Sequence, residues 1–344
     1  MKAIVKTVAA PGLEWLDVPE PELGPGQVLL RVEHASICGT DLHIEQWDRW
    51  AAGRIRPPRR IGHEFCGTVL AVGDGVETHQ VGDFVASESH IVCGHCRQCR
   101  EGQAHVCVNT VILGVDVDGG FSPRAVVPAA NARPVPRSVP QGVASMLDAL
   151  GNAVHTAMAG PLAGQTVLIT GLGPIGLFAV AICRAMGAEK IVGTEISSYR
   201  IAIAEELGID AVLNPQKDAV ASELGRIAPA GFDATLEMSG HPSSLDLALD
   251  HTRPGGRISL LGVFPGAIQN LDLNKAIFKG IDLQGIAGRR LDETWDQMTD
   301  LLTERGLNVL PVITHHFPAP EFPAAFDILR QGQAGKIVLD FEGV

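Results

Sequence analysis

The architecture of this chain can be inferred from one stretch, Thr166-Val-Leu-Ile-Thr-Gly-Leu-Gly-Pro-Ile-Gly176. Its first five residues predict a buried strand, and its glycines have the G-x-G-x-x-G spacing that opens a helix after such a strand. In this pattern Gly171 permits a tight turn, Gly173 lets the backbone approach a pyrophosphate, and Gly176 brings helix and strand close together. The apolar run from 175 to 186 predicts the helix. The stretch therefore predicts a dinucleotide-binding unit.

Strand-like and helix-like segments alternate beyond this turn. They are the strand 190–195, the helix 199–207 and further strands at 211–214, 233–237, 257–261 and 281–284. Near-continuous apolar strands that alternate with helices are typical of a doubly wound parallel sheet. We therefore expect an α/β protein with a Rossmann domain over residues 150–287.

The first part of the chain has a different pattern. Short strand-like runs at 28–33, 67–73 and 83–87 are separated by glycine and proline turns such as Pro25-Gly26. This pattern predicts a β-rich, barrel-like domain over residues 1–149. Residues 288–344 mix helix and strand, and their last strand, Lys336–Asp340, is expected to return to the first domain.

An acidic residue follows the glycine turn at the distance expected for ribose recognition. Glu195 lies nineteen residues beyond Gly176, at the end of a predicted strand. A carboxylate there accepts hydrogen bonds from ribose hydroxyls and repels a 2′-phosphate, so we expect NAD rather than NADP. Arg200 could bind a 2′-phosphate or equally stack on adenine. The segment Leu261-Gly-Val263 ends a predicted strand where the nicotinamide should lie.

Four cysteines form what we call the closed set. Cys93, Cys96 and Cys99 are each separated by two residues, and Cys107 follows eight residues later. Four thiolates suit a tetrahedral Zn²⁺ without a free coordination position, which would brace a loop and catalyse nothing. An iron–sulfur cluster is an alternative. Disulfides are less compatible with the reducing compartment that we expect for this chain.

A second group of donors, the open set, has the mixed chemistry of a catalytic zinc. Such a zinc takes about three protein ligands from sulfur, nitrogen and oxygen and keeps one position exchangeable. Cys38 and His63 supply the first two, and Glu64 or a later carboxylate supplies the third. Cys66 and Cys183 lack such company and are interpreted as small buried hydrophobic residues.

Composition narrows the possible partners. The formal net charge is −12, with 27 Lys and Arg against 39 Asp and Glu, which argues against nucleic acid because phosphate binding needs clustered cations. The basic segment 54–60 is expected to be a solvated loop or a subunit contact. No segment has the roughly 20 apolar residues of a membrane helix, and the N-terminal residues read as a strand rather than a signal peptide. We expect a cytoplasmic protein that acts on a small molecule.

Taken together, these motifs resemble those of the zinc-dependent medium-chain alcohol dehydrogenases, over nearly the whole chain. The segments that carry the resemblance are Ile37-Cys-Gly-Thr-Asp-Leu-His-Ile44, Trp47-Asp-Arg-Trp50, Gly62-His-Glu64, Gly151-Asn-Ala-Val-His-Thr156, Gly288-Arg289 and Glu293-Thr-Trp295. The second and fourth segments are typical of the branch that oxidises L-threonine. The resemblance implies a GroES-like catalytic domain joined to a Rossmann domain, and a homotetramer.

The resemblance also implies roles for single residues. The open set would hold the catalytic zinc. Thr40 and His43 would carry the proton of the substrate hydroxyl to solvent, and Asp148 would either approach the metal or assist this relay. Cofactor contacts would come from Ile175, Glu195, Arg200, Leu261, Gly262, Val263, Ile286 and Ala287.

The expected reaction is the oxidation of a secondary alcohol, in which zinc lowers the pKa of the alcohol and NAD⁺ accepts a hydride. One departure from the family pattern leaves the substrate less defined: Glu45 stands where an aromatic residue is expected, close in sequence to the relay. A sugar-acid or polyol dehydrogenase with the same zinc and NAD is the alternative. A zinc-braced, NAD-binding redox sensor is the non-enzymatic alternative, and the open set argues against it because a scaffold needs no unsaturated metal.

Overall fold

The computed structural model describes residues 1–344. The chain divides into two compact units. Unit 1 consists of Met1–Ala149, Arg290–Trp295 and Ile313–Val344, and unit 2 consists of Leu150–Arg289 and Asp296–Val312.

Strands with a few short helices make up the first part of the chain, and strands that alternate with helices follow from residue 166 onward. From the N-terminus to residue 157 they are β1 (Lys2–Lys6), β2 (Glu14–Asp17), β3 (Gln27–Ile37), α1 (Gly39–Gln46), α2 (Arg49–Arg54), β4 (Arg59–Arg60), β5 (Phe65–Val72), β6 (Phe84–Ser87), β7 (His90–Ile91), α3 (Arg97–Arg100), β8 (Val111–Ile112), β9 (Arg124–Pro128), β10 (Ala132–Pro134), α4 (Gln141–Ala144) and α5 (Leu147–Ala157). Then come β11 (Thr166–Thr170), α6 (Pro174–Ala185), β12 (Lys190–Thr194), α7 (Ser198–Glu206), β13 (Ala211–Leu213), α8 (Val220–Ile227), β14 (Phe232–Glu237), α9 (Pro242–His251), β15 (Thr252–Leu260), α10 (Asn274–Lys279), β16 (Asp282–Gly285), α11 (Asp292–Thr303), β17 (Ile313–Pro318), α12 (Phe322–Arg330) and β18 (Lys336–Asp340).

Unit 1 is built around the long strand β3. It pairs antiparallel with β5, β9 and β18, within a seven-stranded sheet. Alternate residues of β3 face the core: Val28, Leu30 and Val32 are at most 1% exposed, as the two-residue period of a strand requires. Burial of such a side chain stabilises the fold by about 1.5–3 kcal/mol. The β-rich prediction for this part of the chain is confirmed.

Unit 2 contains a six-stranded sheet in the order β13-β12-β11-β14-β15-β16. All five pairings are parallel, as predicted for a doubly wound fold. The chain runs from β11 to β13 on one side of β11 and continues from β14 on the other side. The strand order therefore reverses between β11 and β14, and ligands of such sheets bind beyond the carboxyl ends of the strands at this point.

Helix α6 lies in the core of unit 2. Its residues from Gly176 to Cys183 are all buried, because both its neighbouring sheet and its other contacts are apolar. The prediction that Cys66 and Cys183 are buried is confirmed. Burial raises the pKa of the Cys183 thiol to about 12, so this sulfur is not a nucleophile at neutral pH.

The predicted C-terminal segment 288–344 is divided between the units. Strand β18 pairs with β3 and β17 in the sheet of unit 1, as expected. The structure corrects the boundary for residues 288–289 and for Asp296–Val312, which belong to unit 2. The reason is packing: residues Leu310–Val312 contact α6 and α7, and Met298 lies 3.3 Å from the position that a Cβ on Gly151 would take. None of the helices has the length and apolar run that crossing a membrane requires.

Candidate functional site

The open set is brought together by two adjacent strands. Cys38 directly follows β3 and caps α1, and His63 and Glu64 directly precede β5. Because β3 and β5 pair antiparallel, the end of one lies beside the start of the other, and the Ser36 N–H donates to the Glu64 carbonyl at 2.9 Å. The ligand atoms of Cys38, His63 and Glu64 all lie within 4.8 Å of one another.

The residues of the open set fit a cation. His63 and Glu64 are 6% and 1% exposed, and His63 Nδ1 and Glu64 Oε1 have no hydrogen-bond partner. An unsatisfied buried polar group costs about 1–3 kcal/mol, and a metal ion would satisfy it. Burial by itself lowers the pKa of His63, but the negative groups Asp41 and Cys38 raise that pKa well above its ordinary value. The field of these residues thus favours positive charge at this place.

Two further residues, Ser36 and Lys336, donate hydrogen bonds to Glu64 of the open set, and sequence reasoning missed both. Glu64 Oε2 accepts hydrogen bonds from Ser36 Oγ and from the ammonium group of Lys336. Burial is the largest single influence and lowers the pKa of Lys336, but Glu64, Cys38 and Asp41 together outweigh it, so the pKa is raised overall. No local sequence pattern marks Lys336 as part of this site, because it reaches Glu64 only through the register of β18 on β3.

The predicted relay residues lie on α1. Thr40 Oγ1 is 3.8 Å from Cys38 Sγ. His43 is more than half exposed, and its Nδ1 is 2.6 Å from Asp48 Oδ2. The other oxygen of Asp48 accepts the Ala51 N–H at 2.9 Å and caps α2. This backbone hydrogen bond, followed by the contact with His43, lowers the pKa of Asp48.

Asp148 and Glu45 lie outside the open set. Asp148 is buried in the first turn of α5, where its Oδ1 lies 3.4 Å from the Ser89 amide nitrogen, and its carboxylate is not part of the cluster of ligand atoms. Glu45 forms an ion pair with Arg330 of α12 at 3.0 Å. Its carboxylate is therefore engaged by the C-terminal helix.

The closed set has the geometry of a single tetrahedral ion. The sulfurs of Cys93, Cys96, Cys99 and Cys107 lie within 4.8 Å of one another and form no disulfide. The Sγ–Sγ distances are 3.4 Å for Cys96 and Cys99, 3.5 Å for Cys93 and Cys107, and 3.8 Å for Cys96 and Cys107. They are close to the roughly 3.8 Å edge of a tetrahedron with Zn–S distances of about 2.3 Å. Several iron atoms would hold the sulfurs farther apart.

Hydrogen-bond donors around the closed set favour the thiolate form at two of its cysteines. The side chain of Asn109 and backbone N–H groups donate to Cys93 and lower its pKa to about 5. The backbone N–H at Cys99 and neighbouring groups lower the pKa of Cys96. Burial and the neighbouring sulfurs instead raise the pKa of Cys99 to about 12. Metal binding requires deprotonated sulfur, so the donors prepare two of the four cysteines for an ion, and the charge of the ion itself would favour the thiolate at Cys99.

The glycine turn lies between β11 and α6, as predicted. Gly171 has a φ of +85°, which favours glycine. A Cβ on Gly176 would stand 2.1 Å from the Gly171 carbonyl oxygen, so this position also requires glycine. A Cβ on Gly173 would meet no heavy atom within 4 Å, which leaves open space at the N-terminus of α6. The backbone N–H groups and the helix dipole favour an anion there.

A cavity of about 480 Å³ adjoins this turn in unit 2. It is lined by Gly171 and Gly173, by Glu195 and Arg200, and by residues that we did not predict, namely Thr194, Ile196, Pro215, Gln216, Met238, Ser239, His241, Ser243 and Ser244. Most of the unpredicted residues follow the carboxyl ends of strands, so the rule for ligand position in parallel sheets could have found them.

Glu195 braces the glycine turn. Its Oε2 accepts the Leu172 N–H at 3.0 Å, and its Oε1 accepts the N–H groups of Ile196 and Ser197 at 2.8 and 3.0 Å. The carboxylate therefore ties the glycine turn to the segment that follows β12.

The other predicted cofactor residues lie at the same edge of the sheet without lining this cavity. Leu261, Gly262 and Val263 follow β15, and the N–H groups of the first two donate to the Glu237 carbonyl oxygen. Ile286 and Ala287 follow β16. Ile175 belongs to the first turn of α6.

Comparisons with known proteins agree with this geometry. Residues 24–137 match the model of the alcohol dehydrogenase GroES-like domain, and residues 174–304 match that of the zinc-binding dehydrogenase domain. The L-threonine 3-dehydrogenase of Pyrococcus abyssi is 47% identical over 341 residues, which are 98% of both chains. The structure of an Escherichia coli alcohol dehydrogenase complexed with NADH has a TM-score of 0.90 and 30% identity and covers 99% of each chain. L-idonate 5-dehydrogenase of E. coli has a TM-score of 0.84 and 29% identity, covering 99% of this chain and 98% of that one.

The fold, the open set and the dinucleotide turn define a dehydrogenase. The chain belongs to the zinc-dependent medium-chain alcohol dehydrogenase family. The interpretation as a redox sensor without turnover finds no support among these relatives.

Proposed function

We propose that this protein oxidises the secondary alcohol of L-threonine to 2-amino-3-oxobutanoate, with zinc and NAD⁺. The observation that carries the proposal is the open set: a thiol, an imidazole and a carboxylate have their ligand atoms within 4.8 Å of one another, and His63 Nδ1 and Glu64 Oε1 are buried without a hydrogen-bond partner. Relatives named L-threonine 3-dehydrogenase at 43–47% identity support the substrate. One hydride passes to NAD⁺ and one proton to solvent, so NADH and the ketone are the products.

In this proposal unit 1 supplies the catalytic metal and unit 2 the cofactor site. Cys38, His63 and Glu64 hold the zinc, which when bound supplies a Lewis acid that lowers the pKa of the alcohol, while NAD⁺ supplies the hydride acceptor. Asp41 supports this arrangement, because its Oδ2 accepts the Cys38 N–H at 2.9 Å and its Oδ1 lies 3.7 Å from His63 Nδ1. Such outer partners fix the orientation of metal ligands.

The proton leaves along α1. Thr40 and His43 are three residues apart and share a face of the helix. Thr40 Oγ1 accepts the proton of the alcohol and passes its own proton on to His43 Nε2. Asp48 defines this direction: it accepts the Nδ1–H of His43 and leaves Nε2 as the acceptor. The exposed imidazole then releases the proton to solvent. Asp148 lies buried near the start of α5 and is proposed to support the metal pocket.

The cofactor is proposed to lie on the glycine turn with its diphosphate at the N-terminus of α6. Glu195 favours NAD over NADP, because its carboxylate accepts from a ribose hydroxyl and opposes a 2′-phosphate. Arg200 lines the same cavity and stacks on the adenine in this proposal. The segments 261–263 and 286–287 contact the nicotinamide half.

The second zinc is proposed to be structural and to occupy the closed set. Its four thiolates leave no position for a substrate. The free state of all seven cysteines supports a reducing, cytoplasmic location.

A homotetramer is also proposed, supported by an uncovered surface of unit 2. Strand β16 pairs on one side only, with β15. In the preceding helix α10, Ile277 and Phe278 are 69% and 86% exposed. Free strand edges and exposed large apolar residues are typical of surfaces that a second chain covers. Light scattering of the wild type and of Phe278→Asp tests this, with a smaller assembly expected for the variant.

A second candidate substrate is a sugar acid or polyol, which the likeness to L-idonate 5-dehydrogenase favours. NADH formation is followed by absorbance with L-threonine, its allo isomer, L-serine, polyols and aldonates. A kcat/KM for L-threonine at least tenfold above the others is expected. A preference for a polyol or aldonate would replace the substrate, and equal rates in the wild type and Cys38→Ala would refute the zinc mechanism.

A further inference from the structure

Lys336 is a fully buried lysine that no step of the proposed reaction uses. It is 2% exposed and lies at the start of β18. Its ammonium group donates to Glu64 Oε2 and to the Ile37 carbonyl oxygen, the latter at 3.2 Å. An ammonium group is retained in a protein interior only where its charge is compensated and its protons have acceptors. Glu64 provides the compensating charge.

The two oxygens of Glu64 have different surroundings. Oε2 accepts from Lys336 and from the Ser36 hydroxyl, whose Oγ also lies 3.3 Å from the Ser145 carbonyl oxygen. Oε1 is buried without a hydrogen-bond partner, 3.9 Å from His63 Nε2. A carboxylate held by two donors on one oxygen cannot rotate freely and presents only the other oxygen to its surroundings.

We propose that Lys336, supported by Ser36, is a positioning residue that makes Glu64 a ligand of the zinc through Oε1 alone. The inference rests on the proposed zinc at the open set. Lys336 also balances charge, because the Cys38 thiolate, the Glu64 carboxylate and the nearby buried carboxylate of Asp41 would otherwise place three negative charges around one divalent ion. The metal site therefore depends on the C-terminal strand as well as on the motifs that contain its ligands.

Lys336→Met tests this role, because methionine fills similar space and supplies neither charge nor donors. Lys336→Arg is the matched control that keeps both, and Ser36→Ala removes the second donor while leaving the lysine. Each protein is stripped of metal and titrated with zinc, and metal per chain is measured by mass spectrometry. The closed set serves as an internal reference in every sample. Cobalt replacement reports the geometry of the open set by its visible absorption.

We expect Lys336→Met to bind the weaker of two zincs at least tenfold less tightly and to show an altered cobalt spectrum. We expect a loss of a few fold for Ser36→Ala and nearly wild-type binding for Lys336→Arg. In a Glu64→Gln background, Lys336→Met should have no further effect on zinc affinity, because the lysine acts through this carboxylate. Retention of the closed-set zinc and of the far-ultraviolet circular dichroism shows that the variants are folded.

Several outcomes overturn the inference. Two zincs bound by Lys336→Met with wild-type affinity and spectrum would do so, as would equal effects of Lys336→Met with and without Glu64. If Lys336→Met fails to fold, wild-type zinc affinity in Ser36→Ala together with an unchanged cobalt spectrum overturns it. A wild type that binds one zinc, unaffected by Cys38→Ala, instead refutes the proposed function on which the inference rests.

Discussion

Substitution by alanine at two glycines of the dinucleotide turn should affect two different properties: cofactor affinity at Gly173 and stability at Gly176. Gly173→Ala adds a methyl group where no heavy atom lies within 4 Å, on a backbone with φ of −61° that any residue adopts. Alanine reduces the conformational freedom of the unfolded chain, which stabilises the folded state by about 0.4–1 kcal/mol. Alanine is also a poorer N-cap than glycine, which costs a similar amount. The free energy of unfolding should therefore change by less than about 1 kcal/mol. The methyl group stands where the diphosphate approaches, so the Kd for NADH should rise at least about tenfold, or about 1.4 kcal/mol.

Gly176→Ala should act on stability instead. Its added Cβ would stand 2.1 Å from the Gly171 carbonyl oxygen, a backbone atom that cannot turn aside. Overpacking of this kind costs about 1–3 kcal/mol, and a backbone clash places this site at the upper end. At about 2–4 °C for each kcal/mol in a unit of this size, Tm should fall by roughly 6–12 °C.

Fluorescence titration with NADH and thermal unfolding measure the two effects. Gly225→Ala is the matched control, since its Cβ also meets nothing within 4 Å but lies in α8, away from the turn. It should leave the Kd unchanged and raise Tm slightly, because alanine is the better helix former. Wild-type NADH affinity in Gly173→Ala, or equal Tm values for Gly176→Ala and Gly225→Ala, would refute the reasoning.

Three further predictions concern the cofactor, the relay and the metals. Glu195→Gln should raise the NADP-to-NAD ratio of kcat/KM at least about tenfold, because the charge that opposes a 2′-phosphate is removed. Asp48→Asn should lower kcat at least about tenfold with unchanged Tm, since asparagine still caps α2 but binds His43 more weakly. Cys38→Ala and Cys107→Ala should each bind one zinc fewer than the wild type, as measured by mass spectrometry. Cys38→Ala should lose turnover and keep the wild-type Tm, whereas Cys107→Ala should have a lower Tm.

Each of these has a result that contradicts it. An unchanged cofactor ratio in Glu195→Gln would mean that this carboxylate only braces the turn. A wild-type kcat in Asp48→Asn would remove the aspartate from the relay, and a parallel fall in Tm would indicate a capping role only. Two zincs retained by Cys38→Ala would place the second metal elsewhere.

Much of the fold was readable because its signals are local. The strand, glycine turn and helix of unit 2 occupy consecutive residues, and the apolar runs after them gave the parallel sheet. The boundary prediction for 296–312 was corrected because α11 is amphipathic along its length, and its sequence does not record which unit its apolar face contacts.

The two donor sets also differ in how much of each could be predicted from local sequence. The closed set lies within fifteen residues and could be identified from spacing alone. For the third ligand of the open set, the residue types alone left Glu64 and a later carboxylate open, and the resemblance favoured Glu64. The structure groups the Glu64 carboxylate with Cys38 and His63. Asp148 is buried but stands outside that group, which its position in the sequence does not reveal.

The sequence by itself determined the class of the protein, the two donor sets and the dinucleotide turn, since each depends on residue type at short spacing. Only the tertiary structure decided what surrounds them. Lys336 meets Glu64 across 272 positions because β18 lies in register beside β3, and Arg330 engages Glu45 because α12 packs against α1. Such contacts depend on strand register and helix packing, which the burial of apolar side chains throughout unit 1 determines collectively.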